Sequence, residues 1–217
     1  MRAGTTTEKL GFFVDMNSNR DSKNRFAKKL VFGIGINDAS SPIKKGSTQR
    51  RAYDFWLSML SRCLSDSYKG RQKTYKNCNV CEKWILFSNF ESWFYENYRD
   101  GYALDKDIIK KGNKTYCPEL CSFVPREINN LIEKSNAIRG DLPIGVAKYK
   151  DRFRSSLTIN NASKHIGVFD TKEEAFRTYK REKEAHIKNI ATKYYNNNKI
   201  ERRVYDALMN YKVEITD

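Results

Sequence analysis

The apolar residues of this 217-residue chain change their period partway along it, and that change constrains the fold more than any other feature. Ala52, Phe55, Trp56, Met59, Leu60 and Cys63 recur at i, i+3, i+4, i+7, i+8 and i+11, which is one face of an α-helix over residues 49–64. Phe153, Leu157 and Ile159 instead alternate with Arg152, Arg154, Ser156, Thr158 and Asn160, the period of two of a strand with one polar face. A chain that carries both periods is neither all-α nor all-β, so the expected class is α+β. Its length allows one large domain or two small ones.

Between these segments the punctuation suggests three parts. Residues 1–48 are polar and broken by Gly and Ser, and read as a basic arm with one short strand at Leu30–Ile36. Residues 49–138 form a central unit. Ser88 followed by Glu91 is a capping-box pattern, so a helix is expected from Ser88 with Phe90, Trp93, Phe94 and Tyr98 inward. Leu104–Ile109 reads as a strand, Lys110–Lys114 as a hairpin turn in which Gly112 and Asn113 tolerate positive φ, and residues 115–124 as the returning strand. Pro125 then opens a helix to about Ser135 with Ile128, Leu131 and Ile132 on one face. Residues 136–143 read as a linker. Residues 139–217 form the last unit, three short strands followed by a long helix capped by Asp170-Thr171 and by further C-terminal helix.

Charge narrows the partner. Lys and Arg number 41 against 26 Asp and Glu, a net +15, and the excess gathers at the ends: +6 over residues 1–50 and +5 over residues 141–217. Such a balance calls for a polyanion, and its two-ended spread suits a protein that grips a long one at more than one place. Ordinary solubilising charge is the plain alternative. No apolar run approaches the ~18 residues of a membrane span, and residues 1–8 lack an apolar signal core, so a cytoplasmic location is expected, that of the host cell if the chain is phage-encoded. Five cysteines in such a setting read as reduced thiols or metal ligands, not as a disulfide framework.

Gly145-Val146-Ala147-Lys148-Tyr149-Lys150-Asp151-Arg152-Phe153-Arg154, followed by Ile166-Gly167-Val168-Phe169-Asp170-Thr171-Lys172-Glu173-Glu174-Ala175-Phe176-Arg177-Thr178-Tyr179, resembles the Apetala-type DNA-binding domain over roughly residues 143–190. The resemblance implies a three-stranded antiparallel sheet, backed by a helix, that lies in the major groove of double-stranded DNA. The residues agree: Lys148 and Lys150 are placed on one face of the first strand, Arg152, Arg154 and Thr158 on one face of the second, and Lys164 opens the third. Cations on a sheet face can hold phosphates and reach guanine edges. A solvated polar face would give the same pattern.

Residues 49–135 resemble the HNH-type, ββα-metal endonuclease-like proteins of bacteriophages. The likeness rests on Trp56-Leu57-Ser58-Met59-Leu60-Ser61-Arg62-Cys63, Val80-Cys81-Glu82-Lys83-Trp84, Leu104-Asp105-Lys106-Asp107 and Gly112-Asn113-Lys114-Thr115-Tyr116-Cys117-Pro118-Glu119-Leu120-Cys121. It implies a divalent ion, Mg²⁺ or Mn²⁺, held by Asp105 and by Asn129 on the following helix. Lys106 stands where the family has its general-base His, and Leu120 where it has the central Asn. The chain has only two histidines, His165 and His186, both in the last unit.

Cys78-Asn79-Val80-Cys81 and Cys117-Pro118-Glu119-Leu120-Cys121 are two cysteine pairs with 35 residues between Cys81 and Cys117. Two such pairs can close a tetrahedral Zn²⁺ site, and small buried thiols are the alternative. Arg25, Lys28 and Lys29 in the arm can track a phosphate backbone, or can simply be solvated. The expectation is therefore a DNA-binding protein acting as a site-specific, metal-dependent nicking or cleaving endonuclease of homing type. The rival is a catalytically silent DNA binder on the same scaffold, serving as a repressor, DNA shield or anti-defence factor.

Overall fold

A computed structural model describes residues 30–132, 141–159 and 162–215. The chain is mixed α+β, with three small sheets, one of them a three-stranded antiparallel sheet. Arg25, Lys28, Lys29 and most of the expected linker lie outside the described residues.

The expected first helix is present as α1 (Thr48–Leu64), started by the Ser47 hydroxyl accepting the Arg50 N–H at 3.0 Å. Its apolar stripe turns Ala52, Trp56, Met59, Leu60 and Cys63 fully inward, each large side chain contributing about 1.5–3 kcal/mol on burial. The Trp56 indole N–H finds the Trp84 carbonyl at 2.7 Å, so the deepest ring leaves no polar atom stranded. Leu30–Ile36 is not a strand. It is a tight turn closed by a Val31–Gly35 bridge, with Ile36 bridging to Leu86. Its residues pack on α1, and a Cβ on Gly35 would come within 2.5 Å of Leu60. The alternation of Ile and Gly that suggests a strand thus serves a close approach of backbone to helix.

After α2 (Asp66–Arg71) and a 3₁₀ turn at Lys73–Tyr75, the short strand β1 (Asn79–Val80) leads to a second 3₁₀ turn and to α3 (Phe87–Asn97). Phe87, Phe90 and Phe94 are buried on α3. Its capping box does not form. Asp38, fifty residues upstream, accepts the Ser88 N–H at 2.8 Å and the Ser88 hydroxyl at 2.5 Å instead. A carboxylate there complements the helix dipole better than Ser88 can.

The largest departure from expectation is the hairpin. Strand β2 (Tyr102–Asp105) stops at Asp105, whose Oδ1 accepts the N–H groups of Asp107 at 2.8 Å and Ile108 at 2.6 Å and turns the chain away. The strand β3 (Thr115–Tyr116) pairs in parallel with β1, and β2 pairs antiparallel with β4 (Ser122–Pro125), Tyr102 facing Pro125 and Asp105 facing Ser122. Pro125 ends β4, and α4 (Arg126–Ile132) begins one residue later. The unit is therefore strand, long loop, strand, helix.

The last unit has β5 (Val146–Tyr149), β6 (Arg152–Ile159) and β7 (Ala162–Phe169) in order β5-β6-β7, followed by α5 (Lys172–Asn196) and α6 (Arg202–Met209). Thr171 caps α5 by accepting the Glu174 N–H at 3.2 Å. Tyr179 of α5 lies so close to Gly145 that a Cβ there would come within 2.0 Å of the ring, and Gly145 has φ +76°. Only glycine meets both demands. The two units share one core, in which Ile108, Val124 and Ile128 meet Leu157, Tyr179, Ile187, Val204 and Leu208. Polar ties seal the contact: Ser122 donates to Glu201 at 2.5 Å, Arg203 donates to the Cys121 carbonyl at 2.8 Å, and Tyr194 donates to Glu127.

Candidate functional site

Register decides which cations share a face. A two-residue turn pairs Tyr149 with Arg152, Ala147 with Arg154 and Lys148 with Phe153. Side chains directly opposite lie on the same side of a sheet. Arg152, Arg154 and Thr158 therefore share the exposed side, as their alternation implies, and Tyr149 joins them. The Arg154 guanidinium lies 6.0 Å from the Tyr149 ring centre, and Arg152 reaches Asp170 at 2.7 Å. Lys148 lies on the opposite side, with its ammonium 6.0 Å from the Phe153 ring. Lys150 occupies the first position of the turn at φ 53°, off the strand.

Strand β7 brings a second correction. Ser155 pairs with Gly167 but Ser156 pairs with His165, so Ile166 is an extra residue that bulges. Beyond the bulge every side chain is shifted by one. His165 and Ser163 come to the exposed side beside Ser156 and Thr158, while Lys164 moves to the Leu157 side and lies 3.8 Å from Glu182 of α5. The exposed face thus holds Tyr149, Arg152, Arg154, Thr158, Ser163 and His165, with no Asp or Glu on its strands. Tyr149 and His165 are members that sequence patterning missed; a two-residue turn would have supplied the first.

In the central unit, Asp105 and Lys106 are buried. Burial pushes the Asp105 carboxyl up to about 6, the Asp107 carboxylate adds to this, and the two backbone N–H bonds pull the other way. For Lys106 burial works against the charge, but the hydrogen bond to Asp107 at 2.9 Å and that residue's charge outweigh it and hold the ammonium above its ordinary value. Lys106 therefore keeps its proton at neutral pH and cannot serve as a general base there. Leu120 sits in the Cys117–Cys121 turn with its N–H on the Cys117 carbonyl at 3.2 Å. The loop is instead spanned by Asn113, whose Nδ2 donates to the carbonyls of Lys106 at 2.6 Å and Thr115 at 2.7 Å while its Oδ1 accepts the Thr115 N–H at 3.1 Å. Gly112 takes the positive φ of the turn, and Asn113 is used for its carboxamide. Asn129 is half-buried on α4, next to the core residue Ile128.

The donor chemistry fits a divalent ion poorly. One Asp105 oxygen already accepts two N–H groups, the Asp107 carboxylate holds the Lys106 ammonium, and among the described residues no three His, Cys, Asp or Glu are grouped to hold a metal. The cysteines divide. The β1–β3 pairing, with the Cys81 N–H on the Tyr116 carbonyl at 2.9 Å, brings Cys81 toward the Cys117–Cys121 turn, whereas Cys78 and Cys63 are buried in the core of the central unit. Burial raises the Cys63 thiol to about 12 and pushes Cys81, Cys117 and Cys121 upward as well, so they stay protonated unless a metal intervenes.

No helix among the described residues is long and apolar enough to cross a membrane. Comparison with protein families, curated proteins and solved structures finds no match to this chain.

Proposed function

We propose that the protein binds double-stranded DNA through the exposed face of the β5-β6-β7 sheet. The observation that carries this is the composition of that face: Arg154 and Arg152 beside Tyr149, with polar Thr158, Ser163 and His165, and no acid on the strands. The other side of the sheet is tied to α5 by Leu157 and Tyr179, which supports the face as a rigid platform. Arg152 is held by Asp170, but both are exposed, and an exposed ion pair is worth only about 0–1 kcal/mol, so a phosphate can displace it. Arg154 then serves as the base-reading group and Arg152 as a backbone contact. The test is a binding-site selection with wild-type protein and Arg154→Ala. Loss of preference at one guanine position supports the reading, and an unchanged preferred sequence contradicts it.

A second reading, metal-dependent nicking by the central unit, is favoured by one observation: a buried carboxylate, Asp105, closes the first strand of a strand-loop-strand-helix unit. The donor set and the protonated Lys106 count against it, which favours a silent scaffold. Supercoiled plasmid incubated with Mg²⁺ or Mn²⁺ decides between them. Nicking that Asp105→Ala abolishes supports the enzyme, and no nicking by wild type leaves the binder.

A further inference from the structure

Arg62 sits in the last turn of α1, half-buried, and has no carboxylate partner among the described residues. Its Nη1 donates to the Tyr116 hydroxyl at 3.4 Å, a long bond, and its buried Nε has no hydrogen-bond partner. The Tyr75 ring centre lies 5.6 Å from the guanidinium, and Tyr68 packs edge-on against Tyr75. These phenols are not counter-ions, because burial holds Tyr75 and Tyr116 above their ordinary values and keeps them neutral. The helix C-terminus favours a cation at this position but supplies no acceptor for Nε. A guanidinium taken partly out of water without a counter-ion is costly, and an anion that reaches its Nη groups lowers that cost.

The surroundings select the anion. Lys106 lies over the face of the Tyr116 ring, 5.9 Å from its centre, and Lys114 donates to the Thr74 carbonyl at 3.3 Å on the neighbouring turn. Lys106 is partly offset by Asp107. The Tyr116 hydroxyl accepts from Arg62 and so keeps its own proton to donate. A planar fork, a hydroxyl donor and a basic rim match a tetrahedral oxyanion of high charge better than a lone carboxylate.

We propose that Arg62, framed by Tyr68, Tyr75 and Tyr116, binds a phosphate group. The site is separate from the sheet face and stands whether or not that face reads DNA. The test is thermal unfolding of the full chain in phosphate-free buffer, titrated with inorganic phosphate at constant ionic strength. At phosphate ~100 times its Kd the midpoint rises by roughly 5–10 °C. In Arg62→Met that rise disappears, and the midpoint without phosphate equals or exceeds that of wild type, since an uncompensated charge has been removed. Arg62→Lys, which keeps the charge without the fork, shows a smaller rise. A wild-type midpoint indifferent to phosphate overturns the proposal. So does an Arg62→Met loss of stability that is equal with and without phosphate, which marks a structural arginine. If Arg62→Met does not fold, the wild-type Arg62 Nε–H resonance is followed by NMR: a shift on adding phosphate supports the site, and no shift overturns it. A second arm separates the sources of phosphate. Duplex binding weakened about tenfold by Arg62→Met, with the salt slope reduced by about one, assigns a nucleic-acid backbone phosphate. Unchanged duplex binding alongside an Arg62-dependent phosphate effect assigns a free phosphate. Arg154→Ala leaves the inorganic phosphate effect intact, so failure of the sheet reading and failure of this one are distinguishable.

Discussion

The sheet face and the β2–β4 loop both bring cations together, and they use them in opposite ways. On the sheet, Arg152 and Arg154 stand in solvent on a platform fixed from behind by α5, and the acid that Arg152 reaches, Asp170, is exposed and replaceable. In the loop, Lys106 is buried, bonded to Asp107 and stacked near Tyr116, while Asp105 spends an oxygen on the backbone. A charge that has already found its partner serves the fold, and one that has not is available to a ligand. Net charge alone cannot separate the two.

The sharpest way to break the sheet side of this contrast is to remove its support. Gly145→Ala pushes a Cβ into the Tyr179 ring at a left-handed φ. It should cost about 2–4 kcal/mol in denaturant unfolding, and with it DNA binding by the last unit.

The loop side is tested by pH. The folded-state pKa of Asp105, about 6, lies above its ordinary value of 3.8, so the folded protein holds this proton more tightly than the unfolded chain does. The carboxylate therefore costs nothing below the unfolded value, and stability is lost as pH rises through about 6. Asp105→Asn keeps an acceptor for the Asp107 and Ile108 N–H groups. It should raise stability by on the order of 1–3 kcal/mol near pH 8, with the gain vanishing at about pH 3.5. A loss of stability near pH 8 would place Asp105 in a charge-dependent role that this account does not give it.

Asn113→Ala comes next. It strands the Lys106 and Thr115 carbonyls and should cost about 1–2 kcal/mol, measured by chemical denaturation, without altering duplex affinity by more than about twofold. The smallest effect is expected for Lys164→Ala. Its ammonium faces Glu182 across 3.8 Å with the lysine largely exposed, so both stability and DNA binding should change by less than about 0.5 kcal/mol.

What could be read in the sequence was what depends on local period. The buried stripe of α1 and the alternation of β6 follow directly from side-chain spacing, as does the Thr171 cap. Long-range partners could not be read. Asp38 caps α3 from fifty positions away, and nothing around Ser88 announces it. The Leu104–Ile109 run has the composition of a strand, yet Asp105 captures two backbone N–H groups and Ile108 leaves for the core shared with the last unit. Lys148 and Lys164, both expected at the DNA-binding sheet, lie on the side away from Arg154. A two-residue turn and a single bulge at Ile166 each decide which side of the sheet a lysine takes, and neither leaves a mark in composition. That Arg62 has no carboxylate partner among the described residues is invisible for the same reason: it is a statement about neighbours, not about residue type.

On the proposed function, exposure and register, not basic charge in general, make the sheet face the DNA contact. This is tested most directly by measuring duplex affinity against salt for wild type, Arg154→Ala and Lys164→Ala in parallel. Wild type should show a steep salt dependence. Arg154→Ala should lower affinity for the preferred sequence by ~1–3 kcal/mol and collapse its margin over unrelated sequence. Lys164→Ala should track wild type throughout. Equal losses in the two variants, or a flat salt response in wild type, would contradict it.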